Sequence, residues 1–162
     1  MGYINKAVFY ESYHRNIINK LIHVFFIPIL LWTGLSISYH VDNMIPIFVG
    51  SLYGGYYVYL DRKVGISYLF ILATMLFNLK TLSLTGNILL HIFSWAVQIL
   101  SHKYIEKNSP ALITGFWDSF TIAPFFVWME IWWFFGYNKV IHKKIRHDAW
   151  VLYKRNMNMV NC

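Results

Sequence analysis

The chain has 162 residues, enough for one domain, but hydrophobic residues make up 57%, aromatic residues 20% and charged residues only 13%, about half the charged share of soluble domains. So little charge cannot cover a water-facing surface, which leaves lipid as the natural solvent. The net charge of +7 does not point to nucleic acid, because the basic residues sit in short gaps between apolar runs and in the tail, as juxtamembrane residues facing anionic headgroups do.

Residues 1–20 are amphipathic and carry Lys6, Glu11, His14, Arg15 and Lys20. They show no cleavable signal pattern, so the first apolar helix is expected to act as the anchor. Residues 21–38 form a transmembrane candidate with His23 as its only strongly polar residue and with Pro28 expected to kink or interrupt it. A turn at 40–43 leads to a second apolar run at 44–60, where Gly50, Gly54 and Gly55 allow close helix approach. Asp61, Arg62 and Lys63 make a charged turn. A third run covers 64–79, and a fourth covers 82–100 and continues into a polar end at 102–106. The segment 111–119 reads as a loop or short helix. A fifth apolar run at 120–137 contains Pro124 and Glu130. Residues 138–162 form a basic amphipathic tail expected on the membrane surface. The one cysteine, Cys162, has no intramolecular partner. The expected fold is therefore all-α: a single membrane domain spanning 1–162, an integral helical bundle of about four transmembrane helices plus a re-entrant or interfacial fifth segment. The positive-inside rule puts the N-terminus, the 61–63 turn, the 102–118 loop and the tail on the cytoplasmic side.

The fourth run carries an unusual polar stripe. His91 and His102 are eleven residues apart, which places them within about 20° on a helical wheel, and Trp95, Gln98 and Glu106 fall on the same side. Polar groups in an apolar helix need partners. A second cluster, His14, Asn19 and His23, lies near the N-terminus. His14 and His23 would point apart on one continuous helix, so bringing them together places His14 before the helix or in its first turn, with Ser12 or Asn16 as the cap. Two segments that each offer two histidines can make a four-nitrogen site for iron, zinc, copper or nickel. Glu106, Asp61 and Glu130 are candidates to hold the second ring nitrogens, and Asn19 and Gln98 to hydrogen-bond a ligand of the metal or a substrate. A set of hydrogen-bonded polar residues that only staples helices together remains an alternative, as does a zinc-dependent lipid hydrolase. His40, His142 and His147 read as surface residues, the aromatic runs as packing and interface anchors with the lining of an acyl-chain groove as the alternative, and Lys103 and Lys107 as snorkelling residues with a substrate carboxylate as the alternative partner.

Tyr13-His14, Asn19, His23 and Pro28 form one motif. His91, Trp95, Gln98, His102, Glu106, Lys107, Pro110-Ala111-Leu112 and Ala123-Pro124-Phe125-Phe126 form a second. Together they resemble the family of 2-hydroxy fatty acid dioxygenases of the fungal α-oxidation type, over about residues 7–135. The resemblance implies a multi-pass endoplasmic reticulum membrane enzyme that uses Fe2+ and O2 to shorten a long-chain 2-hydroxy fatty acid by one carbon, a step in phytosphingosine breakdown. It also implies His14, His23, His91 and His102 as the metal ligands, His91 being the ligand that some members lack. The expected catalytic residues beside the metal are Asn19, Gln98 and Glu106. Ser101 departs from the Gly of many relatives.

Overall fold

A computed structural model describes residues 3–107 and 116–160, with side chains described at 3–107 and 120–155. Cys162 and the Pro110-Ala111-Leu112 motif lie outside the described residues, as does most of the expected loop at 111–119. The described residues form seven α-helices and no strand: α1 Tyr3–Tyr13, α2 Ile17–Tyr39, α3 Met44–Leu60, α4 Arg62–Phe77, α5 Leu84–Ser101, α6 Phe116–Phe134 and α7 Lys139–Val160. A π-helical turn, His102–Glu106, extends α5.

Local chemistry sets these boundaries. Asn16 caps α2, its side chain accepting from the Ile18 N–H at 2.9 Å. Asp61 caps α4 by accepting from the N–H groups of Lys63 and Val64, both at 3.1 Å, which removes donors that a helix start leaves unpaired. Ser83 caps α5 through the Gly86 N–H. α2 continues through Pro28 and α6 through Pro124, so neither proline interrupts its helix. α6 also begins before residue 120, as one helix of 19 residues rather than a broken segment.

Packing pairs α2 with α5, α3 with α4, and α1 with α7. The α3–α4 crossing is close because Gly65 sits against the Tyr57 carbonyl, where a Cβ would collide. The core is aromatic: Tyr57, Tyr68, Phe125 and Phe126 are all fully enclosed, and α6 brings the two phenylalanines against Tyr3 and Tyr10 of α1. The exterior is apolar too. Phe25, Phe48, Phe70 and Phe93 face outward from α2 to α5, and Phe77 is 94% exposed. Water penalises such a continuous apolar exterior. Two helical stretches, Ile17–Tyr39 and Leu84–Glu106, are long and apolar enough to cross a membrane, while α3 and the apolar part of α6 are shorter. α7 is not a free tail: Ile145 and Ala149 are buried on the side that packs against α1.

A buried ionic clasp fastens α1, α2 and α6. The Lys20 Nζ lies 2.6 and 2.5 Å from the two carboxylate oxygens of Glu11 and 2.8 Å from Glu130 Oε1. This clasp holds α1 across the start of α2, and the chain between them carries His14.

Candidate metal centre

His14 lies in the break between α1 and α2, His23 one and a half turns into α2, and His102 where α5 passes into the π-helical turn. Their rings converge with centroids 4.6 to 4.8 Å apart and planes at 74 to 88°. One ring nitrogen from each lies within 4.8 Å of the other two, and all three side chains are buried. The second nitrogens show which atoms face inward. His14 Nδ1 is 2.8 Å from the Tyr10 carbonyl and His23 Nδ1 is 2.9 Å from the Asn19 carbonyl. A carbonyl only accepts, so each Nδ1 carries the proton and each Nε2 presents a lone pair.

His23 Nε2 stands 3.1 Å from His102 Nε2. With His23 Nε2 unprotonated, His102 in its Nε2–H tautomer donates to that lone pair, and in its other tautomer it turns a second lone pair toward it, as a shared cation requires. His102 Nδ1 has no protein partner among the described residues. Burial holds the His14 imidazole well below its usual range, and nearby His23 and His102 add to that depression, so it stays neutral and able to donate a lone pair. Stacking by Tyr10, at 4.0 Å and 16°, holds its ring in place. Three buried, converging imidazoles, two of them held by backbone carbonyls with their lone pairs inward, fit a transition-metal ion.

The remaining residues singled out in the sequence fall into distinct places. Glu106 accepts from the Arg15 N–H at 2.8 Å, the Asn16 N–H at 3.0 Å and Asn19 Nδ2 at 3.0 Å. It therefore seats a carboxylate on the N-terminus of α2, where the helix dipole favours negative charge. Asn19, fully buried, also meets Ser101 Oγ at 2.6 Å through its Oδ1, so both ends of its amide are engaged. Gln98 is buried one turn before His102, and its Nε2 has no protein partner among the described residues. Asp61 and Glu130 do not hold the histidines: Asp61 caps α4 and accepts from the Tyr137 hydroxyl, and Glu130 belongs to the Lys20 clasp.

His91 stands apart from the three. Its Nδ1 lies 2.8 Å from Thr33 Oγ1, and its Nε2 accepts from Trp95 Nε1 at 3.1 Å. It shares a helix face with His102, but eleven residues of α-helix put it about 16 Å away along the axis. His142, outside the cluster, stacks on Trp133 at 4.4 Å.

Sequence reasoning missed Tyr10 and the backbone carbonyls, and it marked Ser101 only as a departure from the Gly of many relatives, without its bond to Asn19. It also missed the π-helical turn, a device common at functional sites. The wider turn ends at Lys107, whose backbone is left-handed (φ 55°) and whose N–H returns to the His102 carbonyl. The centre opens on a cavity of about 530 Å³ lined mostly by apolar side chains of α2, α5 and α6.

Fold and site together define an all-α protein with a buried three-histidine group at one end of an apolar cavity. The chain belongs to the Mpo1-like family, described as 2-hydroxy-palmitic acid dioxygenase Mpo1-like, whose sequence model matches residues 3–133. It is similar to the 2-hydroxy-palmitic acid dioxygenase MPO1 of Saccharomyces cerevisiae, with 25% identity over 159 residues that cover 93% of this chain and 91% of that protein. No solved structure matches the chain.

Proposed function

We propose that this protein is an Fe(II)-dependent dioxygenase that shortens long-chain 2-hydroxy fatty acids by one carbon, as a multi-pass protein of the endoplasmic reticulum membrane. The observation that carries this reading is the convergence of His14, His23 and His102 at the end of an apolar cavity, in a family whose yeast member is named as a 2-hydroxy-palmitic acid dioxygenase. Iron held by the three histidines supplies the redox chemistry that lets O2 react with the acid. The chain's own groups do the rest. Tyr10 and Asn19 keep His14 and His23 in the tautomer that binds metal. Gln98 Nε2 donates to an oxygen of the substrate's hydroxy-acid head. The apolar walls of the cavity take the acyl chain and keep water from the reacting carbons.

A lipid-dissolved substrate explains the apolar exterior. In the proposed topology α2 to α5 cross the membrane and the histidine end faces the cytosol, alongside the basic residues of α7 and of the 61–63 turn.

The test is purified protein loaded with Fe(II) and given 2-hydroxypalmitic acid, followed by oxygen consumption and mass analysis of the product. The expected result is one O2 consumed per acid shortened by one carbon. Gln98→Leu is expected to bind metal normally and to lose turnover. Ester hydrolysis with zinc and no oxygen uptake would instead identify a hydrolase, and fatty acid binding without turnover a lipid-binding protein.

A further inference from the structure

The cavity is bounded by two antiparallel stripes in register. On α2 the lining residues His23, Ile27, Leu30, Gly34 and Ser38 follow one another at three- and four-residue steps. On α5, His102, Gln98, Trp95 and His91 run the other way. The register is set at both ends. His23 meets His102 at 3.1 Å, and Thr33, beside Gly34, meets His91 at 2.8 Å. The cavity thus runs from the histidine centre past the Gly34–His91 level to Ser38 of α2 and Val49 of α3. At 1.5 Å per residue the stretch from His23 to Gly34 is about 16 Å and that from His23 to Ser38 about 22 Å.

We infer that this channel measures the acyl chain of the substrate, and that Gly34 is the residue that lets long chains pass the Gly34–His91 level. The inference rests on the dioxygenase reading and adds its specificity determinant. The three histidines and Gln98 stand at one end of the channel, and the walls along it are mainly apolar, interrupted by His91 and Ser38, which matches an acid with a polar head and a saturated tail. A Cβ built at Gly34 meets only His91 Cε1, at 3.8 Å. Beyond that atom a larger side chain enters the channel itself. The discrimination is steric rather than hydrophobic. The acid arrives from lipid, where its methylenes are already in an apolar solvent, so entering the channel brings little further transfer gain. A chain that overruns its space instead pays an overpacking cost.

The test is a ladder of saturated 2-hydroxy acids, from medium to very long chains, turned over by the wild type, Gly34→Leu and Ser38→Phe. Gly34→Leu is expected to lower kcat/KM for long acids by roughly 5- to 150-fold, the cost of overpacking a close-fitting site, while medium-chain acids lose far less. Ser38→Phe is expected to penalise only the longest acids. Gly55→Leu is the control, because a Cβ at Gly55 meets nothing within 4 Å and faces away from the channel. It should leave the length preference unchanged. The same ladder of plain fatty acids, displacing a fluorescent fatty acid from metal-free protein, reads the channel without chemistry. If the wild type turns over no 2-hydroxy acid but the binding ladder shortens in Gly34→Leu, the dioxygenase reading fails and the channel stands. A uniform loss at every chain length, or an unchanged preference in both channel variants, overturns the inference. If Gly34→Leu does not fold, Ser38→Phe decides.

Discussion

Replacing Glu106 with Ala withdraws the acceptor from three donors at once, the N–H groups of Arg15 and Asn16 and the amide of Asn19. Their losses differ. The Arg15 N–H faces solvent, so water replaces the carboxylate there at little cost. Asn19 is fully buried, and a buried donor left without an acceptor costs about 1–3 kcal/mol. Removing a carboxylate from the start of α2 adds about 0.3–1 kcal/mol. With the partly buried Asn16 N–H between these limits, the sum is about 2–4 kcal/mol. At about 2–4 °C per kcal/mol for a domain of this size, thermal unfolding in detergent should fall by about 5–15 °C. Because Glu106 ties the start of α2 to the turn that carries His102, metal affinity should fall with it, by about 10–100-fold. Glu106→Gln keeps one acceptor oxygen, which can still serve Asn16 and Asn19, and should lose less of both than the Ala variant. Thermal unfolding and metal titration, run on the same preparations, read the two effects. An Ala variant with wild-type melting and wild-type metal affinity would refute this role. A Gln variant with intact affinity and no turnover would assign Glu106 to the chemistry instead.

Lys20→Met removes the ammonium that Glu11 and Glu130 share and leaves Glu11 only the more distant Arg146, at 3.8 Å, so denaturant unfolding at neutral pH should show a loss of about 3–5 kcal/mol, smaller at acid pH where the carboxylates take protons. In the wild type, burial raises the Glu11 carboxyl from 4.5 to about 7, against the lowering effect of the Lys20 ammonium. A folded-state pKa above the unfolded value gives stability that is fully present below pH 4.5 and is lost as pH rises through about 7. Glu11→Gln should therefore flatten stability across that window, by on the order of 3 kcal/mol. His91→Gln and His142→Ala should keep the metal content of the wild type, because neither ring approaches the three-histidine group; metal loss in His91→Gln would restore it to the ligand set.

Much of the helical layout could be read from hydropathy alone. The run at 44–60 coincides with α3, and the runs at 21–38 and 64–79 differ from α2 and α4 by a few residues at their ends. α2 begins earlier because Asn16, one of the two cap candidates in the sequence, caps it, a signal that an apolar count alone does not carry. His14 could be placed before the helix or in its first turn because its nine-residue spacing from His23 rules out a shared face if the two meet at one site, and the structure puts it before α2. Two features were out of reach. The π-helical turn carries no hydropathy signature. The partners of His14 and His23 are backbone carbonyls, which every residue possesses and no motif marks. The separation of His91 was within reach: a helical wheel shows angle and discards height, but eleven residues of helix put it about 16 Å from His102.

The most direct test of the three-histidine centre is the transition-metal content of the purified protein, measured by elemental mass spectrometry on wild type and His102→Ala produced with iron supplied. The geometry of His14, His23 and His102 predicts one transition-metal ion per wild-type chain and none in the variant, and the proposed dioxygenase chemistry predicts that the ion is iron. Wild-type protein without stoichiometric metal, or a variant that retains it, would contradict that assignment.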